Sequence, residues 1–442
     1  MALPSDILIV GGGVFGLSTA LSLSKRHPTS TITIIESSPT IPNPHGSSVD
    51  ASRIVRADYA NKAYSKLAAE AINLWRSTEW GREGRYTQNG LLLVYPSNSA
   101  SAKEYVQESY ANVRLIEGDN VTFLPTQADV LSVVPAYGSE LDVAGGYVNW
   151  GSGWSDAAAT VRYAKERLDA EGKVKFRTGD VKRVLYTAAA GSGKSKVTGV
   201  ALADGSVVEA DLVVLATGAW SSRLVDLRGR AVATGQAIAY MKISDEEQRE
   251  LENLPTILNF ATGVFIIPPR GNLLKIARHA YGYRNPVVVP VPGKEGTETM
   301  EVSLPEQGAP VPLEGQEAFR VALRQLLPRF AEREFVDTRV CWYTDTPRGD
   351  FIVSYHPDHE GLFLATGGSG HAYKFFPVIG DKVVDALEGT LDPELSEMWT
   401  WSKAPVSDGE DFDGDGSRSG DRRAILKDEL AKAKKALRSS VL

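Results

Sequence analysis

Ile7-Leu8-Ile9-Val10-Gly11-Gly12-Gly13-Val14-Phe15-Gly16, followed by Leu17, Ala20 and Leu21 and closed by Thr31-Ile32-Thr33-Ile34-Ile35-Glu36, is the stretch that decides the fold. Four consecutive apolar residues before a glycine cluster read as a strand buried on both faces. Gly11 permits a tight turn, Gly13 lets the backbone approach a pyrophosphate, and Gly16 lets the following helix lie close against the strand. Val14 and Phe15 open that helix, whose free N–H groups can meet phosphate oxygens. Lys25-Arg26 place positive charge at its other end. Glu36 ends a second strand where a carboxylate can accept ribose hydroxyls. A glycine triplet alone is a common turn. Flanked by two strands, a helix and a terminal acid, it specifies a dinucleotide site.

Working outward, the 442 residues allow two domains rather than one, and 43% hydrophobic with 23% charged residues is ordinary globular composition. A formal charge of −7 and a pI near 5.6 argue against nucleic acid or an anionic membrane as partner. No apolar run approaches the roughly 18 residues of a membrane span. Met1-Ala2-Leu3-Pro4-Ser5 lacks the basic and apolar regions of a secretory signal. Cys341 is the single cysteine, so neither an intrachain disulfide nor a cysteine-based zinc site is available. An intracellular protein is expected.

Two later stretches return to the first sheet: Ala210 to Gly218 and Gly361 to Gly368 each run from apolar residues into a small-residue turn. Asp204-Gly205 marks a hairpin just before the first return. The expected fold is therefore α/β, with a discontinuous Rossmann-like cofactor domain over 1–89, 151–224 and 346–395 and a substrate domain over 90–150 and 225–345. Ile379, Val383, Val384 and Leu387 have helical spacing, with Gly389 as terminator. Residues 396–442 read as an extension. Its Asp/Gly/Ser-rich run includes Asp411, Asp413 and Asp415-Gly416, but Arg422 stands where a calcium loop needs glutamate, so no metal is expected. Ala424 to Leu437 can form a charged terminal helix or a solvated extension. Asp156 is expected to cap a helix beginning near Ala157, and Trp220 to pack over the cofactor domain.

The glycine turn, together with His45-Gly46-Ser47-Ser48-Val49-Asp50-Ala51-Ser52-Arg53-Ile54-Val55-Arg56, Lys275-Ile276-Ala277-Arg278-His279, Cys341-Trp342-Tyr343-Thr344-Asp345-Thr346-Pro347 and Gly370-His371-Ala372-Tyr373-Lys374-Phe375, resembles the flavin amine oxidases of the monomeric sarcosine oxidase family. That family includes pipecolate oxidase, saccharopine oxidase and fructosyl-amino-acid oxidases. The resemblance spans about residues 5 to 390. It implies FAD between the two domains and a mostly antiparallel sheet roofing the pocket. By the same resemblance, Cys341 attaches the flavin covalently, Ser47, Ser48, Arg53 and Gly370 border it, and Lys275 lies near flavin N5, where positive charge helps oxygen accept an electron. Arg56 and Lys374 hold the substrate carboxylate, which arginine can grip through two oxygens. His279 shapes the pocket or accepts a hydrogen bond from the amine, and His371 resembles it more weakly.

The implied reaction is oxidation of the C–N bond of a secondary-amine L-amino acid by hydride transfer to flavin. Oxygen is reduced to hydrogen peroxide and the imine is hydrolysed. Pipecolate, saccharopine and sarcosine-like amino acids are the expected substrates of a monomeric enzyme. A fructosyl-amino-acid oxidase is the alternative, disfavoured because those enzymes usually carry an acid where this chain has His279. Arg278 is expected to meet a second substrate carboxylate if strand alternation turns it into the pocket. A nicotinamide-dependent dehydrogenase and a noncatalytic nucleotide-binding module are the readings from other classes, and neither uses Cys341, Lys275 and Lys374. Ser440-Val441-Leu442 shares two residues with a peroxisomal address, leaving peroxisome or cytoplasm as the expected compartment.

Overall fold

The structure is a computed structural model and describes residues 3–138, 140–187, 193–294, 297–401, 418–422 and 424–439. Strand Asp6–Val10 is the centre of a six-stranded sheet, paired in parallel with Thr31–Glu36 on one side and Leu212–Leu215 on the other. Val174–Thr178 and Leu362–Thr366 extend it in parallel, and Ile352–Tyr355 closes one edge antiparallel. Both strands expected to return to this sheet therefore do so. The hairpin at Asp204-Gly205 joins Ser195–Leu202 to Val207–Glu209.

Helix Val14–Arg26 covers the sheet and lies against helix Phe376–Glu388. The contact is between backbones. A Cβ on Gly380 would stand 1.9 Å from the Ser18 carbonyl oxygen; within the glycine turn, one on Gly16 would stand 1.9 Å from the Gly11 carbonyl oxygen. Ser18 Oγ rivets the two helices, donating to Phe376 O and accepting from Gly380 N, both at 2.8 Å. Gly389 ends the second helix in the left-handed conformation, as its position in the sequence predicts.

The excursions between the returning strands build an eight-stranded sheet. It is antiparallel except where Thr256–Asn259 runs parallel to Leu91–Tyr95. Helix Leu313–Leu326 covers its outer face, where Phe319 and Leu323 pack with Leu274 and Ile276. Ile238, Tyr240, Ala277 and Cys341 lie on the inner face. A three-stranded sheet of Arg53–Val55, Tyr86–Thr87 and Gly153–Ser155 lies between the two large ones in sequence.

The described residues of 396–442 are more closely integrated than their composition suggests. Trp399 and Trp401 are buried, residues Ser419 and Ile425 bridge to Ala280 and Arg284, and Leu426 is fully buried at the start of helix Leu426–Ser439. Three large apolar side chains in a polar tail supply the burial that its Asp/Gly/Ser content hides. Asp411, Asp413, Asp415-Gly416 and Ser440-Val441-Leu442 lie outside the described residues. No described helix is long and apolar enough to cross a membrane.

Gly380→Val forces a side chain into the Ser18 backbone. Overpacking of this kind costs about 1–3 kcal/mol, so the urea midpoint should fall with an unchanged slope. An unaltered midpoint would show that the helices do not touch there.

Candidate active site

A groove begins at the glycine turn and passes Glu36, Asn43, Ser47, Ser48 and Trp220. Glu36 is held at the end of its strand: Oε2 accepts from Gly12 N at 2.7 Å, and Oε1 from Asn43 Nδ2 at 2.8 Å and Ser38 N at 3.0 Å. Ser48 Oγ accepts from Val14 N at 3.0 Å, at a helix end that Gly13 cannot cap with a side chain. Phe15 turns away and packs edge-on to Phe351. Trp220 continues into a second cavity, whose wall includes His45, Gly46 and Cys341.

Strand register decides what meets this groove on the other side. In the eight-stranded sheet Gln236 pairs with Cys341, Ile238 with both Arg339 and Ala277, and Tyr240 with Lys275. Directly paired residues project to the same face. Cys341, Arg339, Tyr240, Lys275 and Ala277 therefore share the inner face, with Cys341 and Lys275 on strands separated only by Val232–Lys242. Cys341 Sγ is buried and accepts from Arg53 Nη2 at 3.3 Å.

Lys275 is 3% exposed and donates to Asp50 Oδ2 and Ser52 O, each at 2.7 Å. Burial pushes its pKa down to about 8. Asp50 opposes that shift, and Arg53 and Arg339 reinforce it. Burial alone would raise the Asp50 carboxyl, but Lys275, Arg53 and Arg339 overturn this and hold it well below the ordinary carboxylate range.

A pocket with about 780 Å³ of empty space between its walls opens beside Lys275. Arg56 and Lys374 both line it, although 318 positions separate them in the chain (374 − 56). Arg56 lies over the Tyr59 ring at 4.6 Å, and its Nη1 is buried without a hydrogen-bond partner. Lys374 Nζ donates to Tyr59 OH at 2.6 Å and His371 O at 2.8 Å. His371 Nε2 faces the Gly349 carbonyl at 2.8 Å, which can only accept. That nitrogen carries the proton, and Nδ1 accepts from Tyr59 OH at 3.0 Å. His279 lines the same pocket. Burial, followed by the charges of Arg418 and Arg56, holds it well below the ordinary histidine range and so neutral. Gly370 also lines it, with φ of 73° and a Cβ position only 2.3 Å from the Tyr343 ring.

The structure brings Arg53, Arg56, Lys275, His279, Gly370 and Lys374 into one pocket, places Gly11, Gly13, Glu36, Ser47 and Ser48 along the groove, and corrects the reading of Arg278. Arg278 does not enter the pocket. It projects with Leu274 and Ile276 to the helix-covered face, where Nη1 pairs with Glu314 at 2.5 Å, because alternation along the strand sends Lys275, Ala277 and His279 the other way. Asp156 caps helix Ala157–Glu171 through Ala159 N, as expected. Three residues without a role in the sequence reading line or support the site. Tyr343 and Arg418 are in the pocket wall, and Asp50 lies behind Lys275. Arg418 donates to Asp345 Oδ1 at 2.5 Å, Ser369 O at 2.8 Å and Ala280 O at 3.0 Å. Its polar surroundings in sequence gave no signal of that placement.

A family model described as FAD dependent oxidoreductase (DAO) matches residues 6–386. The chain belongs to the DAO family. It is an FAD-dependent amine or amino-acid oxidase. The amino acid oxidase imqH of Aspergillus flavus is 32% identical across 90% of this chain and 98% of its own length. L-saccharopine oxidase of Schizosaccharomyces pombe is 29% identical across 89% and 92%. A fructosyl peptide oxidase from Aspergillus nidulans superposes with a TM-score of 0.84 at 28% identity, covering 96% of this chain and 98% of that one. These likenesses do not separate the sarcosine and saccharopine branch from the fructosyl-amino-acid oxidases.

The residues present fit FAD. The glycine-lined helix start at Gly13 and the anchored Glu36 suit the ADP half, and the second cavity continues from Trp220 to Cys341. Arg278→Ala should leave the substrate KM within about twofold, because its guanidinium faces away from the pocket. A large rise in KM measured by peroxide formation would return Arg278 to the pocket.

Proposed function

We propose that this oxidase acts on the C–N bond of an N-substituted amino acid gripped by its carboxylate between Arg56 and Lys374. The observation that carries this reading is Arg56 Nη1, a buried guanidinium donor with no partner in the wall of a pocket whose described lining has no Asp or Glu. An unsatisfied buried donor costs about 1–3 kcal/mol, and a carboxylate relieves that cost. Lys374, fixed by Tyr59 and the His371 carbonyl, places a second positive charge beside it.

Accepting hydride and passing electrons to oxygen are the chemistry that FAD supplies when bound. The chain's own contribution is selection and placement. Neutral His279 can accept a hydrogen bond from the substrate amine, and the surrounding cations favour an uncharged amine, whose lone pair helps the C=N bond form. Lys275 supplies the positive charge beside which oxygen is reduced to peroxide. Cys341, buried beside the second cavity, would hold the flavin covalently as a thioether.

Likeness to fructosyl peptide oxidases favours an N-fructosyl amino acid over the narrower pipecolate, saccharopine or sarcosine-like reading. The lining pulls the other way, because His279 replaces an acid that could accept sugar hydroxyls. A panel of N-fructosyl-glycine, pipecolate, saccharopine and sarcosine, followed by peroxide release, decides between them. At least one should turn over, and its carboxamide should not. An amine without a carboxylate that reacts equally well would remove Arg56 from substrate binding. Arg56→Met should raise KM about 10- to 150-fold, the 1.5–3 kcal/mol of a hydrogen bond to a charged group.

In stopped flow, Lys275→Met should still bleach with substrate but reoxidise far more slowly. The unmodified enzyme should reoxidise more slowly as pH rises through about 8, where the Lys275 ammonium loses its proton. Equal loss of both half-reactions in the variant contradicts the assignment. Acid precipitation tests the thioether: yellow pellet is expected, and yellow supernatant overturns it.

A further inference from the structure

Asp50 has no role in the chemistry described so far, yet it sits at the focus of four secondary-structure elements. Its side chain is fully buried. Lys275 reaches it from strand Leu273–Arg278 at 2.7 Å, Arg53 Nη1 donates to it from Arg53–Val55, and the Tyr240 hydroxyl donates to it from Val232–Lys242. Arg339 on Asp337–Asp345 stands 3.6 Å away, and Ala51 N donates at 2.7 Å. Cys341, which accepts from Arg53, and Tyr343 are the remaining titratable groups of that strand facing the cluster. Three cations thus share one fully buried carboxylate.

We propose that Asp50 is a positioning residue for the oxygen half of the reaction, holding the Lys275 ammonium in the pocket wall and keeping it charged. This rests on Lys275 being the cation at which oxygen is reduced. Asp50 Oδ2 and Ser52 O occupy two of the three Nζ–H directions, so the third is set by tetrahedral geometry. Burial and the repulsion of Arg53 and Arg339 all favour a neutral amine. Asp50 is the carboxylate that opposes them. Its phenol and backbone donors keep the carboxylate oriented.

The FAD-loaded protein can be titrated with sulfite, an anion whose addition to flavin is favoured by nearby positive charge and is read as bleaching in air-free buffer. Comparing variants at each pH cancels the titration of sulfite itself. The unmodified protein should lose affinity through a midpoint near pH 8, and Lys275→Met should lack that midpoint. Asp50→Asn should move it down by about one pH unit or more, and the fall in reoxidation rate should move with it. Arg339→Gln removes a repelling cation at a partly exposed position and should move the midpoint up. A purely structural Asp50 predicts no such opposed shifts. If Asp50→Asn fails to retain FAD, Arg339→Gln decides: an upward shift supports the proposal and an unmoved midpoint overturns it. Loss of the midpoint in Lys275→Met with an unmoved one in Asp50→Asn rejects the role of Asp50 alone. Normal reoxidation in Lys275→Met rejects the reading of Lys275 itself.

Discussion

The ion pair between Lys275 and Asp50 ties the roofing sheet to the loop that follows strand Thr31–Glu36, and the arrangement of the pocket depends on it. Lys275 belongs to the eight-stranded sheet, and Asp50 lies on the same loop as Ser48, whose hydroxyl accepts from the first helical N–H. Between them they span the distance from the helix start to the pocket wall. Such a pair is poor evidence for stability, since a buried ion pair replaced by well-packed apolar residues is often neutral or better. Three cations around one carboxylate are harder still to justify as folding energy. The cluster makes sense as a preorganised positive field whose cost is met by the packing of the two sheets around it.

The same economy explains what the sequence disclosed. Strand, turn, helix and Glu36 are local, so the first nucleotide-binding unit was legible from periodicity and glycine placement alone. The strands at Leu212–Leu215 and Leu362–Thr366 were legible because strands buried on both faces are apolar throughout. Arg278 was not. Its direction depends on strand phase, which the run Lys275-Ile276-Ala277-Arg278-His279 does not reveal until Ile276 is seen against helix Leu313–Leu326. Asp50 was invisible for a related reason: its meaning comes from partners 3 to 289 positions away, and a lone Asp in a Ser-rich loop reads as a turn residue. Arg418 was hidden by composition. The segment around it is polar, and its anchors, Asp345 and the Ser369 and Ala280 carbonyls, lie on other parts of the chain.

The cations of the pocket are not equivalent, and the difference bears on the substrate. Arg53 is committed to Asp50, the Ser47 carbonyl and Cys341, and Lys275 to Asp50 and Ser52. Arg418 is matched by Asp345, a pair with side chains only 6% and 8% exposed. Arg56 differs from these three in having a buried nitrogen with nothing to bond. In the proposed reading the pocket therefore offers one strong grip for a carboxylate rather than two. A substrate with several carboxylates is compatible with that arrangement only if the others extend beyond this wall. In the proposed reading, what distinguishes one N-substituted amino acid from another comes from the apolar side of the pocket, lined by Ile54, Leu258 and Phe265. Contacts of that kind discriminate by shape, at about 1–3 kcal/mol per methylene gained or lost, so relatives can share this carboxylate grip and still differ in the amine they oxidise.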